Sequence, residues 1–211
     1  LNVAMINSVF AGWLGMTEYE RKQLILCGLM HDVGKLLISK DILRKPGRLT
    51  EEEYEQIKKH PLLGYEKMKD KNIPESVKRV ILLHHERADG SGYPFGFHLK
   101  EIDPYAAITA ISDVYDAMTS NRVYRHGMNP FDVIEIFEKD GRKQFNPIFL
   151  VPILNNLTNT YLQHYVELSN GMKGKIVLIN KSELSRPMIA MDDNQFIDLL
   201  KQRDIKITQV R

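Results

Sequence analysis

Residues 83–94 read LHHERADGSGYP, two adjacent histidines at the end of an apolar run, followed by a charged, glycine-rich loop that closes on Tyr-Pro. Adjacent imidazoles make a poor core, because each buried ring needs partners for both of its nitrogens. They make good metal donors, since imidazole nitrogen with carboxylate oxygen suits first-row divalent ions. The fold must then bring further donors to the same point, and the sequence on either side of this stretch shows where they come from.

Helix punctuation is frequent in both directions. Thr17 with Glu20 and Thr50 with Glu53 have the spacing of capping boxes, and Asp103-Pro104 and Asn129-Pro130 each place a cap residue before a proline suited to the first helical turn. These signals predict helices near 2–14, 17–32, 50–59, 74–85, 104–119, 130–140 and 147–167. Their ends and faces carry His31 and Asp32 in MHDVGK, His60 in KKHPLLG, His84 and His85 in LLHHE, and Asp113 in AISDVYDAMT. Helices of this length can converge on one point, and six candidate ligands exceed the need of one ion. Asp32, next to His31, can bridge two ions ~3.5–4 Å apart, the spacing of two-metal hydrolytic sites.

After LSNG, Leu168 to Gly171, the pattern changes to short β-rich runs, KGKIVLIN, RPMIAM and DIKITQVR. From Lys173 to Arg211 there are eight Lys/Arg against five Asp/Glu, which leaves 21 against 22 in the helical part. The chain reads as mainly α: a helical domain over 1–168 and a small β-rich extension over 169–211.

With 211 residues, 43% hydrophobic and 27% charged, the composition is that of a globular protein. Lys plus Arg number 29 against 27 Asp plus Glu, a balance that argues against duplex nucleic acid as partner and leaves room for a small phosphate-bearing ligand. The single cysteine, Cys27 in LILCGLM, has no internal disulfide partner and reads as a core residue. No apolar run reaches the roughly 18 residues of a membrane span and no signal-peptide pattern opens the chain, so the expected compartment is the cytoplasm. A helical pattern (Val3, Ile6, Phe10, Leu14) is already running at Leu1, without a methionine, and the chain is read as a piece of something longer.

The ordered series HDVGK (31–35), HP (60–61), HHERADGSGYP (84–94), SDVYDAMT (112–119) and NRVYR (121–125) resembles the HD-GYP domain, a subgroup of the HD metallophosphohydrolases, over Leu1 to Leu150. The resemblance implies an HD-type helical bundle around a two- or three-metal centre and hydrolysis of cyclic di-GMP to linear pGpG or onward to GMP. It implies iron or manganese first, with nickel or zinc accepted by the same donors. Carried over by motif, Asp32 bridges the ions, His60, His84 and His85 complete one, and His31 and Asp113 belong to the other. Lys35 meets a substrate phosphate and serves catalysis together with Asp32, while Tyr93, Asp116, Arg122 and Arg125 stand where the family contacts guanine and phosphate.

The chemistry fits these roles. Phosphodiester cleavage needs a nucleophile at neutral pH and neutralised phosphoryl oxygens, and lysine and arginine add compact and forked cations. Asp113 and Asp116 are i, i+3 on one helix, so one can bind metal while the other faces substrate. Implied partners are cyclic di-GMP or a related cyclic dinucleotide such as mixed cyclic GMP-AMP, an upstream sensory or receiver domain, and a GGDEF-domain protein or a second copy of the chain.

Four departures stand against this likeness. A further first-helix histidine of the family aligns just before Leu1, Ala107 replaces an arginine in IDPYAAI, and Val123 replaces the proline of the R-P-Y-R segment. Leu99 also occupies a position where glycine is common. These keep a rival reading open, a module that binds cyclic di-GMP or a protein and hydrolyses slowly or not at all.

Overall fold

The computed structural model describes residues 1–121, 127–193 and 195–211, and the chain in it divides into two compact units. The first comprises Leu1–Asp116 and Lys143–Phe149; the second comprises Ala117–Arg142 and Leu150–Arg211. The expected boundary at 168/169 therefore falls inside the second unit.

In the first unit, α1 (Asn2–Trp13) and α2 (Glu18–Met30) form a helical hairpin, followed by a 3-10 turn (Val33–Leu37) and α3 (Lys40–Leu43). Then come α4 (Glu51–Ile57), α5 (His60–Met68), α6 (Glu75–Leu83) and α7 (Pro104–Thr119). Both capping boxes form. The Thr17 hydroxyl accepts from the Glu20 amide at 3.3 Å while the Glu20 carboxylate accepts from the Thr17 amide at 2.8 Å, and Thr50 and Glu53 repeat the exchange at 3.2 and 2.8 Å. A cap of this kind contributes about 1 kcal/mol.

Cys27, Val77, Val80, Ile81, Leu83 and Ala106 pack α2, α6 and α7 into one buried cluster. A buried polar joint fixes α1 to its neighbours: the Asn7 amide donates to the Leu24 carbonyl at 2.9 Å and to Thr109 Oγ1 at 3.2 Å, and its oxygen accepts from Ser112 Oγ. In such a site a missing partner costs more than the bond itself contributes, so Asn7 sets the register of α1 against α2 and α7.

Two helical expectations are corrected. His60-Pro61 starts a helix of its own, α5, with proline in the first turn where its missing N–H does no harm. The helix expected over 147–167 ends at Thr160, and Tyr165–Leu168 is a strand. Thr158 and Thr160 turn their hydroxyls back on the Leu154 and Leu157 carbonyls at 2.9 and 2.6 Å, Gln163 takes φ 69°, and the alternating YVEL run then finds partners on both sides.

In the second unit, α8 (Pro130–Ile136) runs on through a π turn (Phe137–Gly141); α9 (Arg142–Gln144) and α10 (Pro147–Thr160) follow along the chain, and of these Lys143–Phe149 belong to the first unit and Leu150–Thr160 to the second. The strands β1 (Tyr165–Leu168), β2 (Lys173–Leu178), β3 (Met188–Met191), β4 (Phe196–Asp198) and β5 (Ile207–Val210) form one antiparallel sheet in the order β4-β3-β2-β1-β5. Val166, Leu168, Ile176, Ile189, Met191, Ile197 and Ile207 are among its buried side chains. Glu138, within the π turn, accepts the backbone amides of Leu184 and Ser185 at 2.7 and 3.0 Å and so ties this helix to the loop between β2 and β3.

Candidate metal centre

Four elements of the first unit deliver the donors. His31 caps the C-terminus of α2, His84 caps that of α6 with His85 next to it, His60 opens α5, and Asp113 lies on α7 beside the Ser112 that Asn7 holds. Asp32 comes from the turn between α2 and the 3-10 segment. A close backbone crossing sets its position: a β-carbon on Gly34 would lie 1.9 Å from the His60 carbonyl oxygen and 2.8 Å from the Gly64 nitrogen. Only glycine fits, and the crossing brings Asp32 up to His60.

The carboxylate of Asp32 is the hub. Its Oδ1 lies 3.3 Å from His60 Nε2 and 3.7 Å from His84 Nε2; its Oδ2 lies 3.3 Å from His31 Nε2 and 2.6 Å from Lys35 Nζ. His31 Nε2 is also 3.7 Å from Asp113 Oδ1. One donor atom each from Asp32, His60, His84 and His85 lies within 4.8 Å of every other. The six residues expected as ligands are thus all accounted for in one place, four in the tight group and His31 and Asp113 beside it.

The outer ring nitrogens are committed elsewhere. Nδ1 of His31, His60 and His84 lies 2.9, 2.8 and 2.9 Å from the carbonyl oxygens of Gly28, Ile57 and Val80, in the turn just before each ring. When Nδ1 donates there, a neutral ring presents a lone pair at Nε2, the form that binds metal. Asp32 Oδ1 consequently faces two acceptors and, though buried, has no proton donor. Buried oxygens are rarely left in this state, and a cation shared by the oxygen and the rings resolves it. The donor set suits a divalent first-row metal.

Burial pushes the Asp32 carboxyl up, but His31, ahead of His60 and His84, outweighs it and holds the group far below the usual carboxylate range. Burial pushes the His84 and His85 rings well below the usual imidazole value, leaving them neutral. Burial opposes the charged form of His31 too, yet Asp32 and Asp113 hold its pKa above the ordinary value.

The loop after the histidines is folded back on them. Tyr93 donates its amide to the His85 carbonyl at 3.2 Å and stacks on the His85 ring, centroids 4.6 Å apart at 26°. A β-carbon on Gly92 would come within 2.5 Å of the Glu86 Cα and the His85 carbonyl oxygen, so the loop closes only with glycine there. The buried Glu86 carboxylate accepts the amides of Phe95 and Phe97 at 2.8 and 2.9 Å, while Arg87 donates to the His84 and Glu86 carbonyls at 3.3 and 2.8 Å. Both residues thus hold the loop through hydrogen bonds to backbone.

Lys35 reaches Asp32, and Asp116 accepts from the Asn2 side-chain amide at 3.1 Å. Arg122, Arg125 and Val123 lie outside the described residues. The departures at Ala107 and Leu99 meet: both line one small cavity beside Glu86, with Ala88, Ile102 and Phe145.

Comparison with known proteins agrees with this geometry. The model of the HD domain family matches residues 3–148. The chain is 30% identical over 209 residues to the cyclic di-GMP phosphodiesterase PdeB of Borreliella burgdorferi, covering 98% of this chain and 55% of that protein. It is 44% identical over 110 residues to a cyclic di-GMP phosphodiesterase of Pseudomonas aeruginosa, covering 52% of this chain and 27% of that protein. Among solved structures, Bd1817, an HDG"Y"P protein from Bdellovibrio bacteriovorus, superposes with a TM-score of 0.61 at 23% identity, covering 74% of this chain and 50% of that one; this likeness is one of fold.

The chain belongs to the HD domain family. Within it, the motifs from HDVGK to HHERADGSGYP mark the HD-GYP group. The chain spans about half the length of the Borreliella relative and about a quarter of the Pseudomonas one.

Proposed function

We propose that this chain is the hydrolytic domain of a metal-dependent phosphodiesterase that hydrolyses cyclic di-GMP to linear pGpG and/or GMP. The observation that carries the reading is the convergence of imidazole Nε2 atoms on a buried Asp32 oxygen that has no proton donor. The names of the curated relatives support the substrate class. Asp32 would serve both ion positions, His60, His84 and His85 would hold one divalent ion, and His31 and Asp113 would hold the other, with iron or manganese the natural occupants and nickel or zinc compatible. When bound, such ions supply a nucleophile at neutral pH and neutralise the phosphoryl oxygens.

The protein's own groups do the rest. Lys35, anchored 2.6 Å from Asp32, offers its ammonium to a substrate phosphate at the edge of the centre. Tyr93, fixed against His85, gives an aromatic wall, and Asp116 lies on the same helix as Asp113 for contact with a base. Arg122 and Arg125 enter on their sequence positions alone, as cations for the second phosphate. A sensory or receiver domain in the whole protein governs the activity, with a GGDEF-domain protein or a second copy as partner, in the cytoplasm; among the described residues no helix is long and apolar enough to cross a membrane.

The test is a timed chromatographic assay of cyclic di-GMP with protein reconstituted anaerobically in Fe(II) or Mn(II). A linear product that disappears with chelator is the expected result. Full metal loading without product overturns it in favour of a non-hydrolysing binding module, the reading to which Ala107 beside Glu86 would then point.

A further inference from the structure

Beyond the motif residues, an unassigned pair on α4 completes a ledge that starts at the metal centre. The Tyr93 ring stacked on His85 has the Lys58 ammonium over it, 5.7 Å from its centroid, and the same ammonium lies 5.7 Å from the centroid of Tyr54, one helical turn earlier. Tyr54 is 49% exposed, so its ring is available to a ligand, whereas Tyr93 has one face taken by His85. Among the described residues Lys58 forms a salt bridge to Glu55 at 2.7 Å, within its own turn, where the Glu55 side chain is 62% exposed. Exposed pairs of this kind contribute little and exchange readily.

The arrangement suits a purine. Base–aromatic stacking tolerates any base, but an ammonium at the base edge does not: O6 and N7 of guanine both accept from lysine, while adenine offers an N6 amino donor at the same place. We infer that Tyr54 and Lys58 form a guanine subsite, with Tyr54 stacking the base and Lys58 donating to its O6/N7 edge, and that Lys58 sets the preference for guanine over adenine in a cyclic dinucleotide. This rests on the phosphodiesterase reading above and adds residues that no motif marks.

The experiment compares metal-loaded wild type, Lys58→Met, Tyr54→Ala and Tyr54→Phe on cyclic di-GMP and cyclic di-AMP, measuring kcat/KM, equilibrium binding and bound metal. Lys58→Met keeps the aliphatic stem, so its metal content stays at the wild-type level while the guanine-over-adenine ratio falls about tenfold or more. Tyr54→Ala raises KM about tenfold on both substrates with metal retained, and Tyr54→Phe restores it. If wild type hydrolyses cyclic di-GMP and the base ratio is unchanged in Lys58→Met, the inference is overturned and the phosphodiesterase reading stands. If wild type neither binds nor hydrolyses either dinucleotide, both fall together.

Discussion

At the scale of the residue, Asp32 concentrates the chemistry. It lies against three imidazoles and one ammonium, so replacing it removes the group on which they converge. Asp32→Ala is expected to abolish turnover and metal binding together; plasma emission spectrometry on the purified variant, run beside the activity assay, tests whether the two losses coincide. Lys35→Ala removes an ammonium and no ligand, so metal content should persist while turnover drops about 10²–10³-fold, the range for losing one transition-state donor. Loss of metal in that variant would reassign Lys35 to holding Asp32 in place. All six ligand candidates were legible in the sequence, because His and Asp at the ends of separate helices are costly unless something uses them. The partners of Nδ1 were not legible: they are backbone carbonyls, which every residue has. Nor did Tyr54 and Lys58 show themselves, since an i, i+4 Tyr–Lys pair on a surface helix has no special chemistry until the fold sets Tyr93 beside it.

At the scale of the element, the crossing of the 3-10 turn over α5 is the tightest joint in the site. A methyl on Gly34 meets the His60 carbonyl, which is backbone and cannot swing away. Gly34→Ala should therefore cost about 3 kcal/mol or more, lowering Tm by roughly 6–12 °C for a chain of this size. Metal affinity should fall with it, because Asp32 and His60 are displaced relative to each other; calorimetry with and without metal checks both. The capping boxes announced α2 and α4 correctly, as local signals do. The errors came where two rules competed. His60-Pro61 reads as a helix stop and is in fact a helix start, and the stretch after Thr160 keeps a helical composition while the sheet claims its next residues as β1.

At the scale of the whole molecule, the change in composition after Leu168 marked the β-rich part but not the full extent of the second unit. That unit also holds α8, through Glu138 to the loop after β2 and through Glu135, 3.3 Å from Lys206 near β5. An amphipathic helix shows that it has a buried face and does not show against what, so no periodicity could have assigned α8 to the sheet. Metal linkage is the prediction at this scale. Ions that bind only the folded first unit stabilise it by about 2.7 kcal/mol at a hundred times their Kd. Chelation should thus lower the melting temperature by roughly 5–11 °C, and scanning calorimetry before and after dialysis against chelator reads it. An unshifted transition would mean that the donors hold no ion tightly.

Three histidines of the centre, His31, His60 and His84, are gripped from behind by backbone carbonyls three or four residues earlier in the chain, and this grip owes nothing to what lies in front of them. The centre is a mould rather than a clasp. An emptied centre should therefore keep these three rings aimed, and metal uptake after chelation should show no slow phase from rearrangement of the chain.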